Sequence, residues 1–279
     1  MKNTLQKVLP LAYGAYFNSL SLISPDLAVQ KAFRLYSSPR KGRVLPQQAK
    51  YLNEAKDKLV EIEGLHIQTY QWFGAKETVL LLHGWESNVF RWRNLIGILQ
   101  EAGYRIIAFD APGHGYSSGS MLHVPLYAQC LQHLIPLYDP SYIIGHSMGG
   151  MTALYHQYLE PKNRLEKIVA LGAPSELTDI MKHYQNLLQF NNKVYNGLDA
   201  YFLRKFNFRF SDFSTSKFVK NNTKPGLLVH DREDTIAPFR ASEKVHAHWK
   251  SSVLIPTRGL GHSLHQIEIN RQIVDFLKR

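Results

Sequence analysis

A series of short runs in this chain is apolar almost throughout and carries a glycine or an acid at or near its end. They are "TVLLLHG" (78–84), "YRIIAFD" (104–110), "YIIGHSMGG" (142–150), "KIVALGAP" (167–174) and "GLLVHDRED" (226–234). A strand with one wet face alternates polar and apolar residues, whereas a strand buried on both faces does not. Strands of the second kind belong to a parallel sheet covered by helices on both sides. The intervening segments fit, because "VFRWRNLIGILQEAG", "LYAQCLQHLIPLY" and "MTALYHQYLEPKN" read as helices. Strands alternating with helices build such a sheet by right-handed crossovers. Ligands then bind at the carboxyl ends of the strands. The glycine-rich, His- and Asp-bearing turns of these runs all fall at such ends. "SSVLIPTRGLGH" closes the series, and "KLVEIEG" with "LHIQTYQW" reads as an alternating hairpin around Gly64.

The chain has 279 residues, which suits one large α/β domain carrying an insertion. Residues 1–58 read as an N-terminal helical extension, broken at "SPRKGRVLP". Between Pro174 and Pro225 no buried strand is readable, and aromatics such as Phe190, Tyr201, Phe206, Phe208 and Phe210 accumulate. A loop of that length without its own structure is unusual. Residues 175–222 are therefore expected to form a helical lid over the strand ends, with the core in 59–174 and 223–279. Most of the lid aromatics are expected to be its own packing core, and the rest to suit an acyl chain or an aromatic ring. Arg204, Lys205 and Arg209 fit an anionic substrate or, equally well, exposed helix charges.

The net charge of +11 raises the question of nucleic acid. The basic residues are scattered, and neither zinc-finger spacing nor a helix-turn-helix pattern stands out. A solvated basic surface, with no nucleic-acid partner, is the expectation. The single cysteine, Cys130, forms no internal disulfide and reads as a small buried hydrophobe, so a cytoplasmic protein is expected. No apolar run reaches the roughly 18 residues of a membrane span. Lys2 and Lys7 precede an apolar stretch as in a signal peptide, but Pro10, Gly14 and Asn18 interrupt it and no small-residue cleavage site closes it. The segment is expected to be retained and to pack on the domain, with peripheral contact to a membrane surface as the alternative. Nothing in the sequence signals an oligomeric state.

Gly145-His146-Ser147-Met148-Gly149 fits G-x-S-x-G. A strand that turns sharply into a helix strains the residue at the apex, and small residues two before and two after relieve the crowding. The following helix aims its N-terminal N–H groups at the site. A serine hydroxyl needs a base to become a nucleophile. His262, in "RGLGHSLH" after the last strand, is the candidate, and His265 the alternative. An acid must orient the base, and "LLVHDREDTIAP" offers Asp231, Glu233 and Asp234.

"LLLHGW", "FDAPGHGYSSG", "IGHSMGG", "LLVHDREDTIAP" and "GLGHSLHQ" occur in the order found in the α/β-hydrolase superfamily, which the chain resembles over roughly residues 59–279. The resemblance implies an α/β-hydrolase fold: a mostly parallel central sheet flanked by helices, with a helical cap insertion. It implies the order Ser147, Asp234, His262 for the catalytic residues. Asp234 takes the family's acid position and Pro238 the following proline, while Asp231 stands where glycine is usual. The resemblance also assigns the oxyanion donors, the backbone N–H groups of Met148 and Trp85. Trp85 also suits an aromatic wall of the pocket. His83 is expected to order its loop, and His114 to be structural.

A serine at the elbow excludes the branches of the superfamily that use aspartate there, the dehalogenases and epoxide hydrolases. The expected reaction is hydrolysis of a small-molecule carboxylic ester or thioester through an acyl-serine, with no metal or organic cofactor. An acyltransferase, a carbon–carbon bond hydrolase or a peptidase on the same residues is the alternative, and a non-catalytic binding protein the weaker one.

Overall fold

The computed structural model describes the backbone of residues 2–279 and the side chains from Val8 onward. Met1 and the side chains of Lys2 and Lys7, which belong to the N-terminal reading above, lie outside the described residues. The helices are α1 (Lys2–Ile23), α2 (Pro25–Ser37), α3 (Pro46–Leu52), α4 (Arg93–Glu101), α5 (Val124–Tyr138), α6 (Met148–Leu159), α7 (Leu177–Leu188), α8 (Asn192–Phe206), α9 (Thr215–Phe218), α10 (Arg240–His248) and α11 (Ile267–Lys278). The strands are β1 (Lys56–Ile62), β2 (Leu65–Trp72), β3 (Lys76–Leu82), β4 (Tyr104–Phe109), β5 (Tyr142–His146), β6 (Lys167–Leu171), β7 (Gly226–Asp231) and β8 (Ser252–Thr257). The chain divides into two compact units, one of residues 1–38 with 176–214, the other of residues 39–175 with 215–279.

The second unit holds a sheet of order β1-β2-β4-β3-β5-β6-β7-β8. The pairs β1–β2 and β2–β4 are antiparallel, and every pair from β4 through β8 is parallel. Ile62 pairs with Leu65 across the two-residue turn Glu63–Gly64, both at positive φ. That is the turn geometry whose twist matches paired strands.

The apolar runs are buried on both faces, as their lack of alternation requires. In β3, Val79 and Leu81 face one core and Leu80 and Leu82 the other, all fully buried. The first core is closed by Leu95, Ile96 and Leu99 of α4 and by Ile269, Ile273 and Leu277 of α11. The second is closed by Tyr127, Cys130 and Leu134 of α5, Leu154 of α6 and Trp249. Each such side chain contributes about 1.5–3 kcal/mol by leaving water.

Strand β3 has β4 on one side and β5 on the other, so successive crossovers leave it in opposite directions. The connections part there and open a crevice at the carboxyl ends, the usual ligand position in such sheets. The turns after β3 and β5 flank that crevice.

The first unit is helical. The aromatics of the stretch after Pro174 pack mainly on one another and on α2. Phe202 meets Phe33 at 5.6 Å and Phe210 at 5.0 Å, and Phe206 stacks on Phe208 at 5.8 Å. Arg209 pairs with Asp199 at 2.7 Å, and Arg204 lies 3.7 Å from Asp26. Residues 39–58, grouped by the sequence reading with the N-terminal helices, belong to the sheet unit, where Leu52 is part of the core.

Candidate active site

Ser147 sits between the end of β5 and the start of α6 with φ 53° and ψ −120°, a conformation that costs a non-glycine residue of order 1–3 kcal/mol. The two glycines of the motif make this turn possible. A Cβ on Gly145 would fall on the Gly149 backbone, and one on Gly149 would fall on the carbonyl of Leu82 in β3. The elbow is thus packed backbone against backbone onto the neighbouring strand, and its apex is anchored by Ser147 N–H donating to the Leu171 carbonyl of β6 at 2.8 Å.

The Ser147 hydroxyl lies 2.9 Å from His262 Nε2, and His262 Nδ1 lies 2.7 Å from Asp234 Oδ2. With Nδ1 donating to the carboxylate, Nε2 is left to accept the hydroxyl proton. The structure therefore brings Ser147, His262 and Asp234 into one hydrogen-bonded line. His265 and Glu233 lie at the surface.

Asp234 is fully buried at its side chain. Burial raises its pKa, but the imidazoles of His230 and His262 and the N–H groups of Ala237 and Ile236 outweigh burial and hold the carboxyl well below the usual carboxylate range. The two N–H groups donate to Oδ1 at 2.9 and 2.8 Å. Oδ2 is shared by His262 and, at 3.3 Å, by His230 Nε2. His230, one of two polar residues in the buried run "GLLVHD", is held on its other side by Ser242 Oγ at 2.7 Å.

Asp231 does not bind the His262 ring. It lies buried at the end of β7 and accepts from Glu233 N–H (3.0 Å), Leu260 N–H (3.0 Å) and the Thr257 hydroxyl (2.7 Å). It thereby joins the turn bearing Asp234 to the segment bearing His262, and this is what an aspartate at that position supplies. Two more side chains grip the backbone at His262 and Ser263. His146 Nε2–H donates to the His262 carbonyl at 2.7 Å, and Arg91 Nη2 donates to the Ser263 carbonyl at 3.1 Å. Burial first, then the Arg91 charge, keeps the His146 imidazole neutral by lowering its pKa well below the usual histidine range.

Gly84 and Trp85 follow β3. Gly84 lies against the elbow, since a Cβ there would stand 3.0 Å from Ser147 Cβ. His83 Nδ1–H donates to the Gly84 carbonyl at 2.8 Å and Nε2 accepts Ala111 N–H at 2.9 Å. Burial, with His114 nearby, lowers the His83 pKa to about 3, so it orders the loop as a neutral ring. His114 accepts Glu86 N–H at 3.0 Å and fixes the same loop from the other side. Met148 is the first residue of α6, so its N–H has no partner within the helix and is open to an anion.

His230, His146 and Arg91 were not singled out from the sequence. His230 carried a readable signal, a histidine inside a run otherwise buried and apolar. His146 and Arg91 act through partners far along the chain, which no local pattern announces.

The family model described as "alpha/beta hydrolase fold" matches residues 77–224. An uncharacterised hydrolase of Bacillus subtilis is 24% identical over 250 residues, 73% of this chain and 90% of that one. A non-heme chloroperoxidase of Kitasatospora aureofaciens is 25% identical over 276 residues, 78% of this chain and 98% of that one. Among solved structures, the Est1E protein of Butyrivibrio proteoclasticus with bound ferulic acid superposes with a TM-score of 0.64 at 17% identity, covering 79% of this chain and 97% of that one. The meta-cleavage product hydrolase of Pseudomonas fluorescens superposes with a TM-score of 0.61 at 18% identity, covering 81% and 98%. The parallel sheet with its antiparallel edge, the strained turn after β5 and a match spanning more than half of the residues lead to one placement: the chain belongs to the α/β-hydrolase family.

Proposed function

We propose that this chain is a serine hydrolase that cleaves a small-molecule carboxylic ester or thioester through an acyl-serine. The observation that carries the reading is the continuous line Ser147 Oγ, His262 Nε2, His262 Nδ1, Asp234 Oδ2, with links of 2.9 and 2.7 Å. Ser147 Oγ attacks the acyl carbon while His262 Nε2 takes its proton, and Asp234 stabilises the imidazolium so formed. The carbonyl electrons move onto oxygen, which the N–H groups of Met148 and Trp85 bind. Collapse expels the alcohol or thiol, protonated by His262. Water, deprotonated by the same ring, then attacks the acyl-serine, and the acid leaves with Ser147 restored. No metal or cofactor enters these steps.

Ser147→Ala tests the reading directly. It is expected to lower hydrolysis of short p-nitrophenyl esters by about 10³–10⁶-fold and to abolish labelling by a fluorophosphonate probe. Labelling that persists in the variant would falsify the assignment.

A further inference from the structure

Helix α1 is built to be held on one side and left bare on the other. Its inner side is fitted to the C-terminal end of α7. Gly14 lies against the Leu188 carbonyl, where no Cβ fits. Phe17 is 1% exposed, and Asn18 accepts Asn191 N–H at 2.7 Å and donates to the Gln189 carbonyl at 3.3 Å. This is the packing of a permanent part of the helical unit.

The outer side is apolar. Val8 is 53% exposed, Leu11 49%, Tyr16 48%, Leu22 77% and Ile23 86%. At 100° per residue these side chains fan over the half of the helix opposite Gly14 and Phe17. Between Val8 and Pro25 there is no Asp, Glu, Lys or Arg. An exposed helix of an ordinary soluble protein carries charges on its outer half; this one has none along most of its 22 residues, about 33 Å of length. No helix among the described residues is long and apolar enough to cross a membrane, so α1 does not span one.

We infer that the bare face of α1 seats in the headgroup region of an anionic lipid bilayer, with the helix axis in the membrane plane. Two observations favour lipid over a protein partner. The face offers smooth aliphatic and tyrosine surface without the fixed polar groups that give a protein interface its rim, and such surface suits a fluid acyl boundary. The charge is complementary: the chain is +11 overall, and its helical unit alone has nine Lys or Arg against five Asp or Glu. Lys2 and Lys7 stand in sequence immediately before the apolar stretch, where basic residues strengthen binding to anionic headgroups.

The test is co-sedimentation of the full chain with vesicles of phosphatidylcholine alone and of phosphatidylcholine with phosphatidylglycerol. The chain is expected to pellet with the mixed vesicles and to stay mostly in solution with the neutral ones. Added salt is expected to weaken the binding. The triple variant Leu11→Glu, Leu22→Glu, Ile23→Glu, with an unchanged circular dichroism spectrum and melting temperature, is expected to partition at least about tenfold more weakly. A milder pair, Leu22→Ser with Ile23→Ser, covers the case in which the triple variant does not fold, and is expected to weaken binding measurably. Wild-type protein that ignores anionic vesicles, or folded variants that bind as well as wild type, overturns the inference. So does sedimentation velocity showing a lipid-free dimer that the substitutions dissolve, since the face would then be an interface between copies of the chain.

Discussion

Asp231 gives the sharpest quantitative prediction. Its carboxylate is buried and accepts three hydrogen bonds, from Glu233 N–H, Leu260 N–H and the Thr257 hydroxyl. Asp231→Ala leaves all three donors without that acceptor. Hydrogen bonds to a charged group contribute about 1.5–3 kcal/mol each. Taking the low figure for each, and allowing for the relief of carboxylate desolvation and the entry of water, a loss of about 3 kcal/mol remains. In a chain of this size that lowers the melting temperature by roughly 6–12 °C. Asp231→Asn keeps one acceptor oxygen but turns an NH₂ group toward a donor, so it is expected to fall between wild type and Ala.

The pH dependence separates this account from simple loss of packing. Burial raises the Asp231 pKa, but Thr257 and the N–H groups of Leu260 and Glu233 bring it below the usual carboxylate value. A depressed folded value means that the stabilisation is complete above the unfolded pKa and is lost as pH falls through the folded one. The gap between wild type and Asp231→Ala in thermal or urea unfolding is therefore expected to be constant between about pH 6 and pH 8 and to narrow only below about pH 4. A variant that melts within about 1 °C of wild type, or a gap that does not change on acidification, would refute the reasoning.

Asp234→Asn is expected to lower kcat for a p-nitrophenyl ester by about 10⁴-fold with little change in KM, because the amide favours the wrong His262 tautomer; a loss under tenfold would remove Asp234 from its proposed role. His146→Ala removes the N–H that grips the His262 carbonyl, and the fluorophosphonate labelling rate is expected to drop by about 10–100-fold while Ser147 stays labelled. Gly149→Ala forces a Cβ into the Leu82 carbonyl, and soluble expression or thermal stability is expected to collapse, by more than about 3 kcal/mol.

Those features of the fold that depend on burial were legible from composition along the chain. Runs such as "TVLLLHG" and "KIVALGAP" have no alternation because both faces of β3 and β6 are covered, and the structure covers them. The elbow was legible for the same local reason, since the steric need for Gly145 and Gly149 is written within five residues of Ser147. The groups that hold the backbone around His262, beyond its ring partners Ser147 and Asp234, were not. Asp231 read as a departure from a usual glycine, yet its role depends on Thr257 and Leu260 on the next strand and loop. His146 and Arg91 meet carbonyls more than a hundred residues away in the chain. Contacts of that range are fixed by strand order, and strand order is set by crossovers that no single segment encodes.

Cys130 has a practical consequence. It lies fully buried in α5 within the second core, and burial pushes its thiol up to about 12. A thiol kept protonated and covered reacts with neither maleimides nor mild oxidants. The thiol of the folded protein is thus expected to be silent toward thiol reagents, although the sequence contains a cysteine. Any alkylation by a thiol reagent marks molecules that have opened. A single cysteine introduced at the surface can carry a spectroscopic label without first removing the native one.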